Sequence, residues 1–279
     1  MRRLQEFDIR ERYNNEALHH PPIADLQHIL EDLGKGQTTL HFREGVFLTI
    51  EMLLDGLVVP LSDNHVDQIW KEQKRVLEKS LKIGERFAGE FYGGRKVDME
   101  AIGQEFRVYA DRIVQYGSKD ISERRWLKDK FWRLKTHADA LPEILEKIRP
   151  DIIVPIGSGG IEPGCIAGYI TETAQTIPVR YSPNRRHDSK PKIPAAADER
   201  EYLSPCNGKT VLVVDDDICE GSTMKSVLSY LAGFRPASMY AMGMINGNFS
   251  SLLGLGRLNY REDCQLGIVK VDLGTLRSV

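Results

Sequence analysis

Residues 211–231 join an apolar run to a turn of acidic and small residues. Asp215 and Asp216 follow four consecutive valine and leucine residues, and a third aspartate comes next. A carboxylate accepts hydrogen bonds from two neighbouring hydroxyl groups and stabilises positive charge that develops nearby. The small residues 221–223 form a second feature, because their backbone N–H groups and hydroxyls are suited to bind an anion. This stretch therefore has the residue types to bind both sugar hydroxyls and a phosphate.

A second turn of small residues follows another apolar run. The sequence GSGGIEPG, residues 157–164, comes directly after DIIVPI, residues 151–156. Each turn leads into a predicted helix, and the free N–H groups and dipole of a helix start attract anions. Two such turns, one of them with carboxylates, fit a sugar that carries more than one phosphate. Neither turn matches the P-loop pattern or the dinucleotide fingerprint GxGxxG.

Short apolar runs after Pro150 predict the β-strands that position these turns. The runs cover residues 151–156, 176–181, 210–215, 237–244 and 265–272. Most are apolar on both faces, which is typical of a parallel sheet covered by helices. Helical patterns lie between them at residues 163–174 and 222–231, and this alternation predicts a doubly wound α/β fold. Ligands of such sheets bind at the carboxyl ends of the strands, where both turns lie.

Before Pro150 the apolar residues recur at helical spacing. One series, which follows steps of three and four as on the buried face of an amphipathic helix, is Ile102, Phe106, Tyr109, Ile113 and Tyr116. Such patterns cover about five or six segments. We therefore expect an all-helical domain over residues 1–149 and an α/β domain over residues 150–279. The helical domain would serve as a hood over the substrate, an interface or a regulatory module.

Composition limits the classes of function. The chain of 279 residues carries a formal net charge of −2, which gives no reason to expect nucleic acid or a membrane as a partner. Its first residues lack the apolar core of a signal peptide, so a cytoplasmic location is the default expectation. The four cysteines have no CxxC pair, which favours reduced thiols over disulfides or a zinc site. A homodimer is the default oligomer.

The motif over residues 211–223 resembles the binding motif of type I phosphoribosyltransferases. It consists of four apolar residues, an acidic pair, a short spacer and Gly-x-Thr. The similar order of strands and loops extends over residues 151–273 and leaves out the helical half. The resemblance implies that family's α/β fold, with a parallel sheet flanked by helices. It also implies transfer of ribose 5-phosphate from phosphoribosyl pyrophosphate (PRPP) to a nitrogenous acceptor, with Mg²⁺ held mainly by PRPP oxygens and water.

The resemblance assigns roles to three sets of residues. The acidic pair that binds the ribose 2- and 3-hydroxyls and steadies an oxocarbenium-like transition state corresponds to Asp215 and Asp216, the candidate catalytic residues. The loop that would bind the 5-phosphate consists of Cys219, Glu220, Gly221, Ser222 and Thr223. The loop that would bind pyrophosphate consists of Gly157, Ser158, Gly159 and Gly160.

A basic segment after the second predicted strand is the third part of this hypothesis. Residues 181–192 carry arginines, lysines and a histidine in a proline-rich sequence. The family has a mobile loop between comparable elements, and a basic loop that closes over pyrophosphate would exclude water and neutralise charge. We favour Arg185 and Arg186 as the residues that bind phosphate, because a guanidinium binds it bidentately.

Two positions depart from the family's pattern and leave the acceptor open. Glu220 stands where threonine is most common, and Cys219 stands where purine-specific members often keep an aspartate that handles the proton of the base. Either another group moves that proton or the acceptor is of a different kind. The alternative function is a non-catalytic sensor or regulator that binds PRPP or a nucleotide, with the helical half transmitting its state.

Overall fold

The fold is seen in a computed structural model that describes residues 1–2, 25–35, 38–59, 66–118, 131–157, 159–182, 188–218, 221–247, 256–261 and 266–276. Within these ranges, helices precede a mixed β-sheet that has further helices packed against it. The predicted fold class, an α/β sheet preceded by an all-helical part, is thereby confirmed. The division into two domains near residue 150 stays a prediction.

The helical half contains six helices among its described residues. They are α1 (Leu26–Asp32), α2 (Thr39–Leu57), α3 (Val66–Phe91), α4 (Met99–Arg107), α5 (Ala110–Tyr116) and α6 (Phe131–Ile148). Polar side chains cap three of their starts, because Asp25, Thr38 and Asp98 each accept a hydrogen bond from a backbone N–H of the first turn. None of the helices in the described part of the chain is both long enough and apolar enough to span a bilayer.

The series from residue 102 to residue 116 forms two helices rather than one. The chain leaves α4 at Val108, which is 75% exposed, and Tyr109 donates its backbone N–H to Phe106 only three residues back. This tighter turn separates α4 from α5 while the buried face continues through Ile113. Apolar spacing alone therefore predicted the buried face correctly but not the break.

The described residues contribute seven strands to the sheet. They are β1 (Ile152–Gly157), β2 (Gln175–Thr176), β3 (Val179–Arg180), β4 (Thr210–Ile218), β5 (Ser238–Gly247), β6 (Gly256–Arg261) and β7 (Leu266–Val271). Their order is β2-β1-β4-β5-β7-β6, and β3 also pairs with β1. The connecting helices are α7 (Ile161–Thr171), α8 (Glu199–Leu203) and α9 (Ser222–Ala232), and α10 (Leu273–Leu276) follows β7. The strands β1 to β5 pair in parallel.

The last two strands differ from the all-parallel sheet that their apolar runs predicted. β7 pairs antiparallel with both β5 and β6. Parallel neighbours require a crossover of a dozen or more residues, whereas only residues 262–265 join β6 to β7. This link is too short for a crossover, so β7 must run opposite to β6. β5 and β6 lie on either side of β7 and run in the same direction.

Two buried clusters cover the two faces of the sheet. The first joins the helical half to the sheet and includes Phe87 of α3, Ile153 of β1 and Leu212 of β4. The second packs the opposite face against α9 and includes Val154 and Val213. Alternate residues of a strand face opposite ways, which is why neighbouring positions belong to different clusters. The helical half and the sheet therefore share a continuous apolar core.

A buried charged group also joins the two halves. Arg43 of α2 donates its Nε–H to Glu162 Oε1 of α7 at 2.6 Å and to the Tyr92 hydroxyl at 3.2 Å. The Tyr92 hydroxyl in turn donates to Glu162 Oε1 at 2.5 Å. All three side chains are almost completely buried. Because a charge removed from water is costly unless it is paired, each partner requires the other.

Replacing one member of this group is expected to destabilise the protein strongly. Arg43→Met leaves Glu162 charged and buried, which costs about 3–5 kcal/mol of unfolding free energy. The control Lys147→Met breaks an exposed 2.9 Å pair with Glu143, and exposed pairs contribute only about 0–1 kcal/mol. Urea unfolding followed by circular dichroism measures both. Equal losses in the two variants would contradict the assigned role of the buried pair.

Candidate functional site

The parallel pairing of β1 with β4 brings the two predicted turns together. Pro155 lies opposite Val214 in the register of the two strands, so both strands leave the sheet at the same edge. Beyond this point β1 leads into the turn at Gly159, and β4 continues into Asp215 and Asp216. The motifs that the sequence places about sixty residues apart are therefore neighbours in space.

The turn after β1 fits under the acidic end of β4 only because it lacks side chains. A Cβ atom at Gly159 would overlap the carboxylate of Asp216, and one at Gly160 would overlap the carbonyl oxygen of Val214. The turn is closed by a 2.8 Å hydrogen bond from the Gly160 N–H to the Ile156 carbonyl. Asp216 thus lies directly against the predicted pyrophosphate loop.

Asp215 is the buried member of the acidic pair. Its Oδ1 accepts a 2.9 Å hydrogen bond from the backbone N–H of Asp216. Burial, and secondarily the neighbouring Asp216 carboxylate, raise the pKa of Asp215 well above the ordinary aspartate value. Asp216 is only half-buried. A buried carboxylate with a perturbed pKa at a strand end is characteristic of functional sites.

The second turn ends in a glycine that its backbone requires. Gly221 has φ of +73° at the start of α9, a left-handed conformation that other residues adopt at a cost. Among the described residues no side chain caps this helix start, and the N–H groups of a helix's first turn attract anions. Ser222 is exposed and Thr223 is half-buried at that start. This arrangement agrees with the predicted phosphate loop.

Several predicted site residues lie outside the described part of the chain. They are Ser158, Arg185, Arg186, Cys219 and Glu220. The base of the basic segment is described, however. Asp188 is buried, accepts the backbone N–H of Ser182 at 3.0 Å and pairs with Lys192 at 2.5 Å. The binding roles of these residues, which lie in the basic segment and in part of each loop, therefore remain predictions.

The structure adds two residues that sequence reasoning missed. Arg180 in β3 donates Nη1–H to the Gly157 carbonyl at 2.8 Å, and its Nε–H bonds to Asp55 of α2. Both charged side chains are buried. A signal was present in the sequence, because Glu51 and Asp55 interrupt the apolar run of α2 at a spacing of four and Arg180 follows an apolar run. Charges within apolar elements indicate buried partners.

The donor set at this edge suits magnesium carried by a phosphate ligand. Among the residues that the structure describes, no three His, Cys, Asp or Glu side chains are grouped to hold a metal ion. Mg²⁺ is commonly bound through one or two carboxylates while substrate phosphates and water complete its shell. Asp215 and Asp216 supply such carboxylates, so the residues present fit the ion in that role.

A family model matches the part of the chain that carries both turns. Residues 133–248 match the family model of the phosphoribosyl transferase domain. A solved structure that is similar to this chain is a purine phosphoribosyltransferase from Pyrococcus horikoshii Ot3, at 22% sequence identity over 40% of this chain and 71% of that one, with a TM-score of 0.32. A comparison with curated proteins finds no match. The family match contains both turns and confirms the resemblance inferred for the second half of the chain.

A side chain at position 159 should be tolerated only when residue 216 is shortened. Gly159→Ala places a methyl group against the Asp216 carboxylate, and such overpacking costs about 1–3 kcal/mol of unfolding free energy. Asp216→Ala in the same chain should restore most of that loss. Gly233→Ala is the control, because its Cβ would have only the Tyr230 carbonyl, at 3.3 Å, as a neighbour. Additive losses in the Gly159–Asp216 double-mutant cycle would contradict the contact.

The raised pKa of Asp215 predicts that its carboxylate lowers stability at neutral pH. A carboxyl whose folded pKa exceeds its unfolded value of about 3.8 gives stability below that value and loses it as pH rises through the folded pKa. Asp215→Asn should therefore melt at a higher temperature than wild type at pH 7. The gain is about 1.4 kcal/mol for each pH unit by which the pKa is raised. It should shrink as pH approaches 4.5.

Thermal unfolding measured between pH 4.5 and pH 8 checks this expectation. Asp32→Asn at the end of α1 provides the control, because that carboxylate is exposed. Its difference from wild type should stay small throughout. If Asp215→Asn melts below wild type at pH 7, the buried carboxylate is stabilising and the assigned direction of its pKa is wrong.

Proposed function

We propose, on the premise that residues 133–248 form a phosphoribosyl transferase domain, that this protein transfers ribose 5-phosphate from PRPP to a nitrogenous acceptor. The observation that carries the proposal is the contact between Asp216 and Gly159. It joins an acidic strand end to a glycine turn that leads into the start of α7, as a sugar that carries both a phosphate and a pyrophosphate requires. The acceptor is a nucleobase or a related nitrogen compound, and pyrophosphate is the leaving group.

Different residues bind the different parts of PRPP. Asp215 and Asp216 accept hydrogen bonds from the ribose 2- and 3-hydroxyls. The start of α9, with Gly221 and Thr223, binds the 5-phosphate through backbone N–H groups and a hydroxyl. The turn at Gly159 and Gly160 leads into α7, and the N–H groups at the start of that helix bind pyrophosphate. Each part of PRPP therefore meets a group of opposite or complementary polarity.

The reaction forms one bond at C1 of the ribose and breaks another. The acceptor nitrogen attacks C1 with its lone pair, the bond from C1 to the pyrophosphate oxygen breaks, and pyrophosphate leaves with that electron pair. The acceptor then loses its proton to solvent or to a basic group. Positive charge develops on the ribose during this step, and the carboxylates of Asp215 and Asp216 stabilise it.

Magnesium, when bound with PRPP, would neutralise charge on the pyrophosphate. Asp215 and Asp216 are the residues of this chain that would face it. Ionisation of Asp215 is then a requirement for binding. Because burial raises the pKa of Asp215, its ionisation is less complete at acidic pH than that of an ordinary aspartate, and affinity for PRPP with magnesium should rise with pH.

A second candidate is a regulator that binds PRPP or a nucleotide without turnover. Cys219 favours this function, because it replaces the aspartate that often handles the base proton in purine-specific members. The shared core of the helical half and the sheet would carry a bound state to a partner. Pyrophosphate release assayed over a panel of nucleobases and amines separates the two functions. Binding without release for every acceptor supports the regulator.

Calorimetric titration with PRPP and Mg²⁺ tests the donor site directly. Wild type should bind, while Asp216→Asn should weaken binding by about 10- to 100-fold, since a hydrogen bond to a charged group contributes about 1.5–3 kcal/mol. Asp215→Asn should act in the same direction although it stabilises the fold. Asp32→Asn, an exposed substitution in α1, should bind as wild type does. No binding in wild type, or unchanged affinity in both site variants, removes the proposal.

A further inference from the structure

A buried arginine fixes the exit of β1. Arg180 is 2% exposed and Asp55 is 1% exposed. The Arg180 guanidinium bonds to the Asp55 carboxylate through Nε and to the Gly157 carbonyl oxygen through Nη1, the latter at 2.8 Å. Gly157 is the last residue of β1 and the first of the predicted pyrophosphate loop. A side chain of the helical half is therefore linked to that loop through one guanidinium.

The surroundings of Gly157 leave little freedom for this arrangement. A Cβ atom there would lie 2.8 Å from Leu54 Cδ2 and 3.2 Å from Arg180 Cδ, which is closer than side-chain contacts normally allow. The guanidinium is planar and rigid, and it can hold a carboxylate and a carbonyl at the same time. The carboxyl end of α2 thus packs against the start of the loop through Leu54, and Arg180 links Asp55 to the loop by hydrogen bonds.

Arg180 also fixes the base of the basic segment. Its backbone exchanges two hydrogen bonds with Lys192, at 2.8 and 2.7 Å, and so links the residue before the basic segment to the last residue of that segment. The backbone N–H of Ala195 donates to the carbonyl of Leu57, the last residue of α2, at 2.7 Å. The end of α2 therefore contacts both the start of the pyrophosphate loop and the chain that follows the basic segment.

Stability alone is a weak reason for such a pair. Replacing a buried ion pair by apolar residues of similar volume is often neutral or stabilising. Positions near a reacting centre are different, since a misplacement of about 1 Å can cost about 100-fold in rate. The contact to the Gly157 carbonyl provides positional control that an apolar pair would not.

We infer that Asp55 and Arg180 are positioning residues, through which the helical half sets the geometry of the pyrophosphate loop and of the basic segment. The inference deepens the proposed function and rests on it where PRPP is concerned. Neither residue is assigned contact with the donor. Their effect passes through the Gly157 carbonyl and the paired backbone of Arg180.

A buried hydrogen bond near the start of β1, the end of the strand away from Gly157, provides the control. Thr176 of β2 donates its hydroxyl to Glu85 Oε1 of α3 at 2.8 Å, and both side chains are buried. Thr176 lies opposite Ile153, near the start of β1 and away from Gly157. Glu85→Gln therefore perturbs a buried link between the same two halves without touching the loops.

Three variants separate charge, geometry and folding. Asp55→Asn keeps an acceptor for Arg180 but removes the charge. Arg180→Lys keeps the charge but cannot hold Asp55 and the Gly157 carbonyl together. The double variant with Asp55→Leu and Arg180→Met removes both charges and is expected to fold even if a single variant does not. Thermal melting establishes which variants are folded.

Two measurements on the folded variants test the inference. The first is titration with PRPP and Mg²⁺, in which Arg180→Lys and the double variant should lose about 10- to 100-fold in affinity. The second is hydrogen–deuterium exchange of the peptide that contains Gly159 and Gly160, which should become faster in the same variants. Glu85→Gln should lower the melting temperature and leave both affinity and exchange as in wild type.

Each outcome is decisive. Wild-type affinity and exchange in Arg180→Lys and in the double variant overturn the inference, as does an equal loss of affinity in Glu85→Gln. If wild type binds no PRPP, the proposed function fails and the exchange measurement alone decides. Unchanged exchange at Gly159 and Gly160 then overturns the positioning role, and faster exchange supports it.

Discussion

Parallel pairing of β1 with β4 is the constraint on which the candidate site depends. It puts the exits of both strands at one edge of the sheet, and the two strands are direct neighbours. Asp216 can then lie against Gly159. Because the strands are neighbours, the two turns lie close enough for one ligand to contact both, whereas each turn alone would be an ordinary strand-to-helix connection.

Buried polar links hold the helical half in a defined relation to that edge. Arg43 pairs with Glu162 in the first turn of α7, and Arg180 pairs with Asp55 at the end of α2. His137 of α6 also bonds to the carbonyl of Met244 in β5. Apolar burial supplies most of the attraction between the halves, but it is not directional. The charged and hydrogen-bonded contacts add the direction, since they tolerate only one mutual placement.

The sequence carried enough information for the fold class and for the central motif. Apolar runs predicted β1 and β4, and the acidic pair and Gly221 could be placed at strand and helix ends. Long-range partners were harder to predict. Nothing local in β7 distinguishes an antiparallel strand from a parallel one, because its direction depends on the short link to β6 and on its position between β5 and β6. The sequence predicted Arg180 only as the end of an apolar strand, because its partner Asp55 lies 125 residues away in the chain.

The contact between Gly159 and Asp216 also limits how the sequence can diverge. A larger residue at position 159 is disfavoured while position 216 keeps its carboxylate, and under the proposed function a shorter residue at 216 gives up a contact to the sugar. The two positions are therefore expected to exchange in a fixed order, first at 216 and then at 159. Under the proposed function, a side chain at 159 would mark a descendant that has already lost the Asp216 carboxylate and its contact to the ligand.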